Sequence, residues 1–168
     1  GVSAAELPDD LVWPLLAKGK ATLCYDGQNF FDTDHVWYEN VDGTGTTKNM
    51  SNLTTGTDAD APTWYVIDDT NVLKPLVYQE RTKPEFETKF DPSKSDKVFL
   101  EDVYLYGIRA RGNAGFGLWQ LAHMVEKTNL TKAALAKVVK EMKELKPDGG
   151  YDLKIRPSLL VVPPALEE

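Results

Sequence analysis

The run "VFLEDVYLYGIRARGNAGFGLWQLA", Val98 to Ala122, decides how the middle of the chain is read. Val98–Leu100 and Val103–Tyr106 are clusters of β-branched and aromatic residues, the composition of short strands. Arg109 and Arg111 alternate as residues on one face of a strand do, and outward-facing arginines commonly make interface pairs. Gly112, Gly115 and Gly117 lack the GxxxxGK[ST] spacing of a phosphate loop, and no helix opens after them. They read as points of close backbone approach or bulges. A turn is expected at Gly112-Asn113, followed by a strand-like run over "GFGLWQLAHMV".

Upstream, Trp64–Ile67, Leu76–Gln79 and Phe86–Phe90 read as further short strands punctuated by Pro75, Pro84 and Pro92. "FETKF" alternates as a strand with one wet face does. Between them and the opening run lies "DPSKSDKVFLED", Asp91 to Asp102, which spaces its oxygen-bearing side chains like an EF-hand loop. Asp96 stands where that loop needs glycine, and its flanks read as strands, so a hairpin turn between Phe90 and Val98 is the better reading.

The region from 24 to 62 is rich in Gly, Asp, Asn and Thr with almost no apolar periodicity, which predicts a long solvated loop. Within it Asn40 to Asp60 has too few apolar residues to offset the entropy of ordering, so it is expected to be mobile or held only by contacts. A short helix is predicted over 8–18, with Pro14 kinking or shortening it. The clearest helix spans 131–146: Thr131 is the expected N-cap, and Leu135, Val138, Val139, Met142 and Leu145 line one face. Lys137 with Glu141 and Lys140 with Glu144 pair on the wet side. "SLLVVPP" predicts a strand over 158–162 buried on both faces. The fold class is α+β, one domain over 1–168, with a β-rich stretch at 64–125 forming a mostly antiparallel sheet of short strands against a long helix.

Composition narrows function. The chain of 168 residues carries a formal charge of −7 with its basic residues dispersed, which argues against sequence-specific nucleic-acid binding. A single cysteine allows no internal disulfide. No apolar run reaches a membrane span, and "GVSAAELPDD" has no signal-peptide pattern, so no membrane role is expected and synthesis in the cytoplasm is.

The one cluster with the look of a chemical site is "LCYDGQNFFDTDH", Leu23 to His35. Cys24 has no histidine in a recognisable catalytic context, and the chain holds three Cys and His residues in all, too few for a structural zinc site. Asp26, Asp32, Asp34 and His35 offer oxygen and nitrogen ligands, the basis of an alternative reading as a metal-dependent hydrolase. Their spacing matches no cage, and Asp-Gly and Asn form turns in their own right. The favoured reading assigns no metal, no catalytic residue and no cofactor.

Taken together, "CYDGQNFFDTDH", "NVDGTGTTKNMSN", "LKPLVYQERTKPEF", the opening run and "IRPSLLVVPPALE" resemble the major head protein of Mu-like bacteriophages and prophages. The resemblance runs in order from about Pro8 to the C-terminus. It implies a virion capsid subunit of the Hong Kong 97 type, made in the bacterial host cytoplasm, with no catalytic activity. The implied partners are other copies of itself, with scaffold and head protease during assembly. An encapsulin-like container of the same fold is the second alternative. The resemblance further implies that the N-terminal arm and extended loop lie upstream of this chain. Tyr25, Phe30, Phe31, His35, Trp37, Arg109 and Arg111 are then the candidate interface residues, since interfaces favour aromatics and arginine.

Overall fold

The computed structural model describes residues 9–89 and 105–167. At its centre is β4 (Trp64–Ile67), with all four residues buried. Aromatic and β-branched residues covered on both faces suit an interior strand. β4 pairs antiparallel with β7 (Ala122–Glu126) on one side and with β8 (Leu159–Val161) on the other. β7 also takes β3 (Leu53–Thr55) in parallel, giving the order β3-β7-β4-β8.

Residues directly opposite in an antiparallel pair share a face. Val66 stands opposite His123, and Trp64 opposite Val125. This face receives α2 (Lys132–Glu144), whose Val138 and Met142 are buried and whose Lys137 lies near His123. Thr131 caps the helix as predicted, its Oγ1 accepting from the Ala134 N–H at 3.1 Å. The pairs Lys137–Glu141 and Lys140–Glu144 lie outside, each at 3.7 Å. On the opposite face Tyr65 meets Phe31, with ring centroids 5.6 Å apart, and Trp13 of α1 (Asp9–Lys18) at 6.0 Å. α1 runs through Pro14 without a break in its assigned span.

Where composition predicts one loop over 24–62, the structure has a hairpin, β1 (His35–Tyr38) with β2 (Thr47–Met50), and then β3. Asn52 explains how so polar a stretch stays fixed. It is fully buried, and its amide donates to the Phe30 carbonyl at 2.7 Å and reaches the Trp119 and Ala122 carbonyls at 3.2 Å. Side-chain hydrogen bonds to main chain do here what apolar burial does elsewhere.

β8 departs from the predicted buried strand: Leu159 and Leu160 are exposed, because β8 is an edge strand of the sheet. The expected short strand Leu76–Gln79 and the described part of Phe86–Phe90, residues 86–89, belong to a single strand, β5 (Leu76–Lys89), which pairs antiparallel with β6 (Leu105–Phe116) as a separate two-stranded ribbon. β6 passes straight through Gly112-Asn113, where a turn is expected, and the run beyond it bends through a 3-10 turn at Trp119–Leu121 before β7. The strand expected at Val98–Leu100, the turn at Asp91–Asp102 and the start of Val103–Tyr106 lie outside the described residues.

Candidate interaction surface

The Asp and His cluster folds inward onto the chain's own core. Gly27, at a φ of 83°, turns the segment so that the Cys24 N–H donates to the Gln28 carbonyl at 2.7 Å. Asp26 Oδ2 then meets His35 Nδ1 at 2.6 Å, while the His35 ring stacks on Trp119. Asp32 is taken up locally: one oxygen accepts from the Thr33 N–H at 2.7 Å and the other from Asn29. Asp34 accepts from the Thr33 hydroxyl at 3.2 Å. These four side chains do not converge, and among the described residues no three His, Cys, Asp or Glu side chains gather in a way that could hold a metal. Burial pushes the Cys24 thiol up, away from the reactive thiolate.

Phe30, Phe31 and His35 are therefore corrections to the expected interface. All three lie in this chain's core, with Phe30 stacked on Phe116 at 4.2 Å, and none is open to a neighbour. Trp37 is half-buried, its indole N–H donating to the Pro147 carbonyl and its ring 5.6 Å from Lys48 Nζ. Tyr25 is exposed, its hydroxyl accepting from Gln120 Nε2 at 2.7 Å. Arg109 and Arg111 are exposed on the ribbon, opposite Glu85 and Thr82.

The ribbon is longer than the short strands expected over its residues. An extended, reaching structure is expected only upstream of this chain, yet β5 and β6 pair from Leu76↔Phe116 to Lys89↔Leu105. At the usual strand rise, 14 residues reach roughly 45 Å. Gly112 leaves room for the Tyr78 ring: a Cβ there would come within 2.1 Å of its hydroxyl. Farther out the two faces diverge in character. Phe86 lies opposite Ile108, and its ring stacks at 6.0 Å on Tyr106, making one apolar face. Glu85, Glu87 and Arg109 occupy the other. Phe86, Tyr106 and Ile108 are 65%, 68% and 74% exposed. Residues 86–88 are thus exposed on both faces where the alternation of "FETKF" predicts one wet face.

A second apolar patch went unread in the sequence. Leu23, Tyr25, Leu73 and Val77 are all exposed and surround a shallow pocket of about 320 Å³ floored by Cys24 and Phe116. Leu73 follows Val72 in the connection before β5, and two adjacent apolar residues in a turn were the available signal.

This architecture, a small mixed sheet with a long projecting ribbon, is that of phage capsid proteins. The chain resembles the protein in the procapsid of bacteriophage JBD30 with a TM-score of 0.81 and 51% identity, covering 95% of this chain and 52% of that one. Against the bacteriophage JBD30 capsid the TM-score is 0.74 at 31% identity, over 95% of this chain and 52% of that one. The family model of the Mu-like prophage major head subunit gpT matches residues 1–168, and the chain belongs to that family. It is 45% identical over 172 residues to the Mu-like prophage FluMu major head subunit of Haemophilus influenzae, and 42% identical over 170 residues to the major capsid protein of Escherichia phage Mu. Each alignment covers 100% of this chain and 54% of the relative, so the chain spans about half the length of the curated relatives it matches. Neither the metal-dependent hydrolase nor the encapsulin-like reading finds support in these similarities.

Proposed function

We propose that the chain belongs to a major head subunit that builds a phage or prophage capsid by self-association, a structural protein of the virion rather than an enzyme. The observation that carries this is the ribbon: a two-stranded hairpin is marginal alone, and this one presents Phe86, Tyr106 and Ile108 to solvent with no described residue packed over them. Such a face is stabilised when a neighbouring copy covers it. The Hong Kong 97 type of capsid fold fits the projecting ribbon beside a small mixed sheet with a long helix packed on it. Scaffold and head-protease partners follow from the family alone, and the related JBD30 capsid carries minor capsid protein trimers.

The test uses the protein at its full natural length. A Phe86→Asp, Ile108→Asp variant is expected to keep its far-ultraviolet circular dichroism and melting temperature while losing particles by electron microscopy. Particle formation at the parent's level would remove the ribbon from the reading.

A further inference from the structure

Two exposed apolar patches of this chain cannot reach each other. The rim of Leu23, Tyr25, Leu73 and Val77 sits at the ribbon's base, since Val77 lies in the first residues of β5 and Phe116, in the pocket floor, ends β6. Ile108, opposite Phe86, lies eight residues along β6 from Phe116, roughly 26 Å away at the usual rise, the extra residues of β5 being taken up at its register shifts. The paired strands hold the two apart, so any contact between the patches is between different copies.

We propose that the rim around Leu23, Tyr25, Leu73 and Val77 is the receptor for the Phe86, Tyr106 and Ile108 face of a second copy's ribbon. This rests on the head-subunit reading and names where the neighbour docks. The occupant is argued from size and supply. The shallow pocket of about 320 Å³ suits aromatic and branched aliphatic side chains. Phe and Tyr bury roughly 150–250 Å² each, so the ribbon face offers several hundred Å² of apolar surface. That is below the roughly 800 Å² per partner of a stable standard interface, so the contact is weak between two free chains and holds where many copies are clamped together. A shell of identical subunits supplies that setting.

The geometry also fixes the symmetry. The two patches are different surfaces of one chain, so the contact is head-to-tail and propagates to a third copy instead of closing as a dimer.

Cross-linking decides the matter. In full-length protein that keeps the half-buried Cys24, Leu73→Cys and Ile108→Cys are introduced singly and together, assembled particles are treated with a short bismaleimide, and the linked positions are read by peptide mass spectrometry. The double variant is expected to give a ladder of dimers, trimers and higher species, and the single variants none. A dimer from Leu73→Cys alone would make the rim a two-fold contact and overturn the proposal. Particles without any Leu73–Ile108 link would overturn it and leave the head-subunit reading standing. An unsubstituted full-length parent that never forms particles would overturn both.

Discussion

The imidazole of His35 lies flat on the indole of Trp119, with centroids 3.8 Å apart and planes inclined by 7°. With Asp26 on Nδ1, the stack ties the segment after α1 to the 3-10 turn that precedes β7. A site built for packing responds to lost packing and ignores chelators. Trp119→Ala is expected to cost about 3–5 kcal/mol in urea unfolding, the range for a large buried aromatic. EDTA should leave the melting temperature unchanged, and a clear fall on chelation would restore the metal reading of Asp26, Asp32, Asp34 and His35.

Asn52 makes a second prediction. Its side chain serves the Phe30, Trp119 and Ala122 carbonyls and accepts from the Asp32 N–H at 3.0 Å. Asn52→Leu keeps the volume and removes the side-chain partner of the Phe30 and Ala122 carbonyls and of the Asp32 N–H, each at about 1–3 kcal/mol where no other partner remains, while the Trp119 carbonyl keeps the Ala122 N–H. A loss of roughly 3 kcal/mol or more in denaturant midpoint analysis is expected, and a change within about 0.5 kcal/mol, typical of an exposed site, would refute the anchoring role.

His123 gives a pH dependence. Burial, with Lys137 adding to it, holds this histidine down to about 4. Thr54 Oγ1 and His123 Nε2 are hydrogen-bonded at 2.8 Å, and Nδ1 is buried with no partner. In the unfolded chain the same ring takes up a proton near pH 6.5, so the unfolded state binds more protons between those values. Stability from this residue is fully present above pH 6.5 and falls as pH drops toward 4, by roughly 3 kcal/mol in all. His123→Leu should flatten that part of the profile, measured as urea midpoints from pH 7 to pH 4. An unchanged slope would assign it to other groups.

The chain of 168 residues alone is expected to stay a monomer or small oligomer. The ribbon is present, but the chain spans only about half of its relatives, and one ribbon contact falls short of a stable interface. Light scattering checks this, and capsid-sized particles from the chain alone would show that the ribbon and rim suffice.

What the sequence disclosed follows from which forces hold each part. α2 was readable because Val138 and Met142 meet a sheet and the opposite side meets water, which imposes a 3.6-residue period. β4 was readable because all four of its side chains are buried. The ribbon was readable only in pieces, as short strands and a hairpin turn, because two faces open to solvent give no continuous apolar stripe from which its full length could be read. β3 and its approach were missed for another reason: Asn52 orders them through hydrogen bonds, and a buried asparagine looks like a loop asparagine until its partners are seen. The Tyr25–His35 stretch forms the turns expected of its Asp, Gly and Asn residues, with Phe30 and Phe31 in the chain's own core and Tyr25 exposed.

β8 leaves the sheet with a raw border. Its three residues include exposed Leu159 and Leu160, the kind of sticky edge on which foreign strands nucleate and fibrils grow. The next positions answer that hazard. Pro163 and Pro164 follow Val162, and neither has an N–H to donate, so a strand laid along this border runs out of ladder almost at once. A border that cuts its own ladder short gives an added strand few hydrogen bonds to hold it.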